Sequence, residues 1–242
     1  MTALSNHNRQ QLFDKFLSGG FLENQRPDSQ NKLAERYRVN YQKWLPENKE
    51  AAILEIGFGL GAFLKYLEEE QYINYSGVEI SREMYEYARQ ATDKIFLIDS
   101  LEDYLKDKKQ QFDFIILNDV IEHQEKEKII PLLKLFRASL KTSGRLIIKT
   151  NNAAALTGCR MRFEDFTHEL AFTEYSLRQA LRAAGFKKIT IQPFIFPRNS
   201  WPRKLRALAQ WLVNSCWRAV YWLQYTTVPR YVDEFIFAVA EI

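Results

Sequence analysis

Residues 53–61 read Ile53-Leu54-Glu55-Ile56-Gly57-Phe58-Gly59-Leu60-Gly61. A short apolar run that breaks into glycines at every second position describes a buried strand stopping at a tight turn. The helical pattern resumes at Ala62, so the turn sits at a helix start, where main-chain N–H groups can meet a ligand. Gly57, Gly59 and Ala62 also satisfy the loose dinucleotide pattern GxGxxA. On the glycines alone, a nicotinamide or flavin dinucleotide stays open as the ligand.

Outward from this turn the texture alternates. Ala51–Ile56 reads as strand one, with a helix over 62–69. Tyr75–Glu79 is strand two, and Ser81 is placed to cap a helix carrying Met84, Tyr85 and Ala88. Lys94–Ile98 is strand three, followed by a short helix over Leu101–Leu105. Phe112–Leu117 is strand four. Pro131 is expected to start the next helix, whose Leu132, Leu135, Phe136 and Leu140 share a face. Arg145–Lys149 is strand five, and Thr173 caps a helix ending at Gly185. Lys188–Phe196 and Asp233–Ala240 close the series as two last strands. Short strands apolar on both faces, alternating with helices, describe an α/β fold with a mostly parallel sheet covered on both sides. Upstream, residues 8–20 and 31–45 read as two helices separated by Arg26, Pro27 and Asp28. They form an expected N-terminal helical cap over 1–46, ahead of one domain over 47–242.

Acids at the strand ends narrow the ligand. Glu55 lies at the carboxyl edge of strand one, where it can organise the glycine loop and meet a cationic amine through water. Glu79, with Ile80 beside it, ends strand two, placed to accept both hydroxyls of a ribose. Asp99 and Ser100 end strand three, suited to the exocyclic amine of an adenine. The ordered series ILEIGFGLG, GVEIS, LIDS and FDFIILNDVIEH, covering about residues 51–150, resembles the motifs of class I S-adenosylmethionine-dependent methyltransferases. The resemblance implies a Rossmann-like three-layer sandwich with a seven-stranded sheet and S-adenosylmethionine as cofactor. It implies Gly57, Gly59 and Gly61 against the methionine and ribose portions, Glu79 on the ribose and Asp99 on the adenine. Asn118 and Asp119 fall beside the methionine moiety.

Methyl transfer from a sulfonium is an in-line displacement, so alignment and water exclusion dominate, and a hydroxyl acceptor also needs a base. Asn118-Asp119-Val120-Ile121-Glu122-His123 follows strand four. It lacks the Asn-Pro-Pro-aromatic pattern of enzymes that methylate a base amine in DNA. Neither cysteine, Cys159 or Cys216, follows a proline, as a cytosine-C5 nucleophile would. After strand five come DFTHE (165–169) and FTEYSLRQALRAAGF (172–186). These resemble methyltransferases encoded with bacterial O-antigen and other polysaccharide pathways. His168 is the expected base, with Asp165 or Glu169 setting its tautomer; packing of His168 against the next helix is the bland alternative. His123 is a second candidate for proton transfer. Asp119, Glu122, His123 and His168 are a conceivable metal set, but their spacing is not diagnostic, and no metal is expected.

The net charge of +4 is mild, yet no acid occurs between Glu174 and Asp233. In that span Arg198, Arg203, Lys204, Arg206, Arg218 and Arg230 accompany Trp201, Trp211, Trp217 and Trp222. About Arg203–Gln224 reads as an amphipathic helix inserted before the last strand. Leu205, Leu208, Leu212, Cys216, Ala219, Val220 and Leu223 form its apolar stripe. Three fates are open to it: core or a homodimer contact, the inner surface of a membrane, or a platform for a sugar acceptor. With two unpatterned cysteines, no secretory leader and no long apolar run, a cytoplasmic protein is expected, with peripheral contact at the inner face of the membrane through 201–230 as one of those fates. The leading functional expectation is O-methylation of a sugar hydroxyl in a bacterial surface glycan or its lipid-linked precursor. A small metabolite such as a quinone precursor is the next acceptor, and a nucleic-acid-binding methyltransferase or scaffold is the remaining alternative. No nucleic acid is the expected partner.

Overall fold

The computed structural model describes residues 11–15, 17–21, 30–225 and 227–242. Seven strands form one sheet: β1 (Ile53–Ile56), β2 (Tyr75–Glu79), β3 (Ile95–Leu97), β4 (Phe112–Asn118), β5 (Leu140–Asn151), β6 (Lys188–Pro193) and β7 (Phe235–Glu241). Their order is β3-β2-β1-β4-β5-β7-β6. β7 runs antiparallel to both its neighbours, β5 and β6, and the other pairs are parallel. The helices are α1 (Gln30–Tyr41), α2 (Ala62–Glu69), α3 (Arg82–Ala88), α4 (Leu101–Leu105), α5 (Lys126–Ser139), α6 (Gly158–Phe163), α7 (Glu174–Ala183) and α8 (Trp201–Gln224).

All four residues of β1 are buried, as expected for the centre of a sheet covered on both faces. The period-two alternation divides the strands between two cores. Leu54, Ile115 and Leu117 pack with α5 and α7 on one side. Ile53, Phe114 and Ile116 meet α1 and α2 on the other. There Tyr41 of α1 is fully buried against Phe63 and Phe237. Each such buried ring contributes roughly 2–3 kcal/mol through removal from water.

Strand order reverses between β1 and β4, which opens a crevice at their carboxyl ends. The registers Ile56↔Val78 and Ile56↔Leu117 bring the next residues in line, Gly57 with Glu79 and Asn118. Asn118 in turn is level with Lys149 of β5.

Four local expectations change. Pro131 lies inside α5 rather than at its start, because Lys126–Ile130 are already helical. Burial of Ile129, Leu132, Leu133 and Phe136 offsets the lost backbone hydrogen bond. Helix α1 stops at Tyr41, and Trp44 and Leu45 belong to the turn after it. Strand β5 begins at Leu140, expected on the face of the preceding helix, and shifts register opposite Phe112 and Phe114 before reaching the expected Arg145–Lys149. Of the first expected helix, residues 11–14 are helical and Leu17–Phe21 form a π turn. Residues 8–10 and 16, and the stretch holding Arg26, Pro27 and Asp28, lie outside the described residues. Thr173 and Ser81 cap their helices as expected, each accepting from the N–H three residues on.

Candidate functional site

The crevice has two halves. In the first, the loop after β1 places Gly57, Gly59 and Gly61 at φ of 67°, 55° and 79°, the left-handed region. Gly57 has a further constraint: a Cβ there would stand 2.5 Å from Cγ2 of Val120 in the loop after β4. Gly59 faces open space within 4 Å of the same virtual atom. Glu79 ties this loop to the end of β2. Its Oε2 accepts from Gly59 N–H at 3.1 Å, and its Oε1 accepts from Ile80 and Ser81 N–H at 2.8 and 3.0 Å. Burial pushes the Glu79 carboxyl above the ordinary carboxylate range, while those N–H groups pull it back.

Beneath the glycines runs a polar chain absent from the sequence expectations. Tyr41 donates its hydroxyl to Asn118 Oδ1, and Asn118 Nδ2 donates to Glu55 Oε1 at 3.2 Å. Burial raises Glu55 to about 8. Its other oxygen, Oε2, is buried with no hydrogen-bond partner among the described residues. Next to this loop a cavity of about 380 Å³ is lined by Ile80, Arg82, Leu97, Ile98 and Asp99, with Asp14 from the N-terminal segment. Ser100 is directed elsewhere: its hydroxyl caps α4 by accepting from Asp103 N–H. Asp119, at φ 55°, forms an ion pair with Lys149.

The second half is built where the loops after β4 and β5 meet. Glu122 is fully buried; Thr150 donates to its Oε2 at 3.0 Å, and burial raises it to about 8. Its main-chain carbonyl accepts from both Glu169 and Leu170 N–H, at 2.9 and 3.0 Å. The 165–170 loop therefore hangs from the end of β4. Arg162 braces it further by donating to the carbonyls of His168 and Glu169. As a result His123 and His168 lie edge to face, ring centroids 4.7 Å apart.

Neither Asp165 nor Glu169 orients His168. The Met161 carbonyl does, 2.8 Å from Nδ1. A carbonyl only accepts, so Nδ1 carries the proton and the lone pair lies on Nε2. Asp165 acts on the other imidazole instead. Thr167 donates its hydroxyl to Asp165 Oδ1 at 2.6 Å, so Thr167 Oγ1 must accept from His123 Nδ1, 2.8 Å away. Burial, then the neighbouring His168, depress His123 to about 4, and it is neutral near pH 7. Phe13 packs edge-on over this imidazole at 5.8 Å.

His123, Asp165 and His168 offer ligand atoms within 4.8 Å of one another, a set with the chemistry of a divalent-cation site. The four residues conceivable as a set from the sequence do not converge: Asp119 turns to Lys149 and Glu122 to Thr150. Lys149, Tyr41, Met161 and Thr167 were not among the expected site residues. Only Lys149 carried a signal in the sequence, as a charge ending an apolar strand.

These groups set a pH dependence of stability. Glu55 and Glu122 hold protons in the folded state up to about 8 but lose them near 4.5 when unfolded. The folded state thus binds more protons over that window, and stability falls as pH rises through it. His123 acts oppositely, but only between about 4 and 6.5. Thermal unfolding is therefore expected at lower temperature at pH 8 than at pH 6.5, with a shallower slope for Glu55→Gln. An unchanged slope in that variant removes Glu55 from this account.

Residues 29–191, from the start of α1 into β6, match the protein family described as "Methyltransferase domain". An uncharacterized protein of Methanocaldococcus jannaschii is 27% identical over 184 residues, covering 67% of this chain and 84% of that protein. The fold is shared with a SAM dependent methyltransferase from Archaeoglobus fulgidus (TM-score 0.68, 21% identity, 94% of this chain and 99% of that one). It is shared also with Burkholderia thailandensis 1,6-didemethyltoxoflavin-N1-methyltransferase, solved with 1,6-didemethyltoxoflavin and S-adenosylhomocysteine (TM-score 0.60, 16% identity, 99% and 91%). The chain belongs to the methyltransferase domain family, as a class I methyltransferase that uses S-adenosylmethionine.

Proposed function

We propose that the protein methylates a sugar hydroxyl, in a bacterial surface glycan or its lipid-linked precursor, with His168 as the base. The observation that carries this reading is the Met161 carbonyl on His168 Nδ1, which leaves Nε2 as a proton acceptor beside a second, neutral imidazole. The cofactor, when bound, supplies an electrophilic methyl group on a sulfonium. Glu79 would accept from the ribose hydroxyls on the lone pairs its backbone partners leave. Asp99 and Ile80, lining the cavity, would hold the adenine side. Asn118, Asp119 and the unpartnered Oε2 of Glu55 suit the methionine portion and its ammonium. The open side of Gly59 leaves room for the ligand against the main chain.

On the acceptor side, His168 Nε2 would take the proton of the acceptor hydroxyl, leaving the oxygen free to act as the nucleophile. His123 also carries its proton on Nδ1, toward Thr167, but burial and then the neighbouring His168 depress it to about 4, so its Nε2 is a weak proton acceptor. Phe163 and Phe166, 71% and 76% exposed at the mouth of this loop, are rings of the kind that stack on sugar faces. The DFTHE resemblance points the same way. Mass spectrometry of surface glycans from cells with and without the gene tests the acceptor. The expected result is a glycan lacking one methyl group, the hydrogen restored, when the gene is absent. Identical glycans, with a methylated small molecule missing instead, overturn the sugar assignment.

A further inference from the structure

Helix α8 is inverted relative to an ordinary surface helix. None of its 24 residues is buried. Arg203, Ala207, Asn214, Trp217 and Tyr221 lie about one or two turns apart and form its half-buried inner side. That side is held mostly by polar tips. Trp217 Nε1 and the Tyr221 hydroxyl both donate to the Ala154 carbonyl, at 3.0 and 3.3 Å. Asn214 donates to Asp233 at 3.0 Å, and Arg203 pairs with Glu35 at 2.6 Å. The opposite side carries Trp201, Leu205, Leu208, Leu212, Ala219 and Leu223, all exposed. Of the apolar stripe seen in the sequence, Val220 alone is half-buried and the rest, Cys216 included, points away from the protein, so docking on the sheet is not its role. A stripe of this length is larger than scattered surface apolar residues account for.

We infer that α8 lies flat on an anionic lipid surface, its outward leucines and tryptophans in the headgroup–acyl boundary. Charge selects this occupant. The helix bears Arg203, Lys204, Arg206 and Arg218 and no acid, and no acid occurs from 175 to 232. Lys204, Arg206 and Arg218 are exposed and in no ion pair with an acid among the described residues. A second copy packed on this face would oppose only like charges, whereas anionic headgroups complement them. Trp201, Trp211 and Trp222, 77%, 62% and 71% exposed, are residues favoured at that boundary. No helix among the described residues is long and apolar enough to cross a membrane, which fits lying on one. The Ala154 carbonyl that anchors α8 lies in the segment leading from β5 into α6 and on to the acceptor loop.

The inference does not depend on the acceptor. Flotation of the full chain with phosphatidylcholine vesicles, with and without about one-third phosphatidylglycerol, reads it directly. The expected result is flotation with the anionic vesicles only. Leu208→Asp with Leu212→Asp should lower the bound fraction by about tenfold or more, with unfolding temperature retained because both sites are exposed. Lys204→Glu with Arg206→Glu should weaken binding and remove most of its salt sensitivity. His168→Ala should float like the unaltered chain, which separates this result from the fate of the base. Failure of the unaltered chain to float, or equal flotation of the leucine variant, overturns it. So does a solution dimer that the leucine variant splits into monomers, because the face then belongs to a second copy.

Discussion

His168→Ala is expected to lower turnover by about 10²–10⁴-fold, the usual contribution of a positioned general base. Affinity for S-adenosylhomocysteine should stay within about twofold, because the imidazole touches none of the groups around the glycine loop. Loss in kcat with little change in cofactor binding is the signature of a group acting on the acceptor proton. The ring is held through Nδ1 by a main-chain carbonyl, so glutamine, which keeps some volume and polarity, should not restore activity. Near-normal turnover in the alanine variant would remove His168 from the chemistry. A chelator arm belongs in the same experiment, because His123, Asp165 and His168 also form a ligand set. Activity that persists in chelator supports the base; activity lost in chelator and restored by a divalent cation transfers His168 to a metal.

Gly57→Ala is expected to destabilise the fold by about 2–5 kcal/mol and to weaken cofactor binding with it. Two costs add. A left-handed backbone penalises an alanine by about 1–2 kcal/mol, and φ here is 67°. The new Cβ also meets Val120 Cγ2 at 2.5 Å, an overpacking strain of about 1–3 kcal/mol. Val120→Ala in the same chain removes the obstructing methyl and should return only the second part. Denaturant unfolding of the two single variants and the double variant separates the terms, since the residues are in contact and non-additivity is expected. Full additivity would mean that the two loops do not press on each other. Val120 lies three residues before His123, so this contact is also where the cofactor loop and the acceptor loop meet.

Much of the frame was legible because strand ends are marked by where apolar runs stop. Gly57, Glu79 and Asn118 share a level for that reason, and the registers place them together. Capping by Ser81 and Thr173 was readable because it depends on residues three apart. Pro131 misled because a proline suits a helix start on local grounds, while here it is tertiary burial that extends α5 backwards through a charged run with no apolar period. The partner of His168 was hidden for a different reason. A carboxylate three residues before it and another one after it invite pairing, yet the acceptor is a main-chain carbonyl, which no side-chain pattern announces. The orientation of α8 was equally unreadable. A hydrophobic stripe has the same period whether it faces inward or outward, and its actual anchors are the polar tips of Trp217, Tyr221 and Asn214.

The Glu122 carbonyl receives two N–H groups from the strand-five loop. Asn152 clamps the other end of that loop, donating to the carbonyls of Tyr231 and Asp233. The intervening span, residues 153–168, is thus fixed at both ends, and near its start also by Ala153 N–H on the Phe172 carbonyl and by the Ala154 carbonyl under Trp217 and Tyr221. Within it the exposed side chains of Leu156, Thr157, Cys159 and Arg160 can be exchanged without moving the imidazole relative to the glycine turn, provided one carbonyl still returns to His168. A change of customer then needs no rebuilding of the machine.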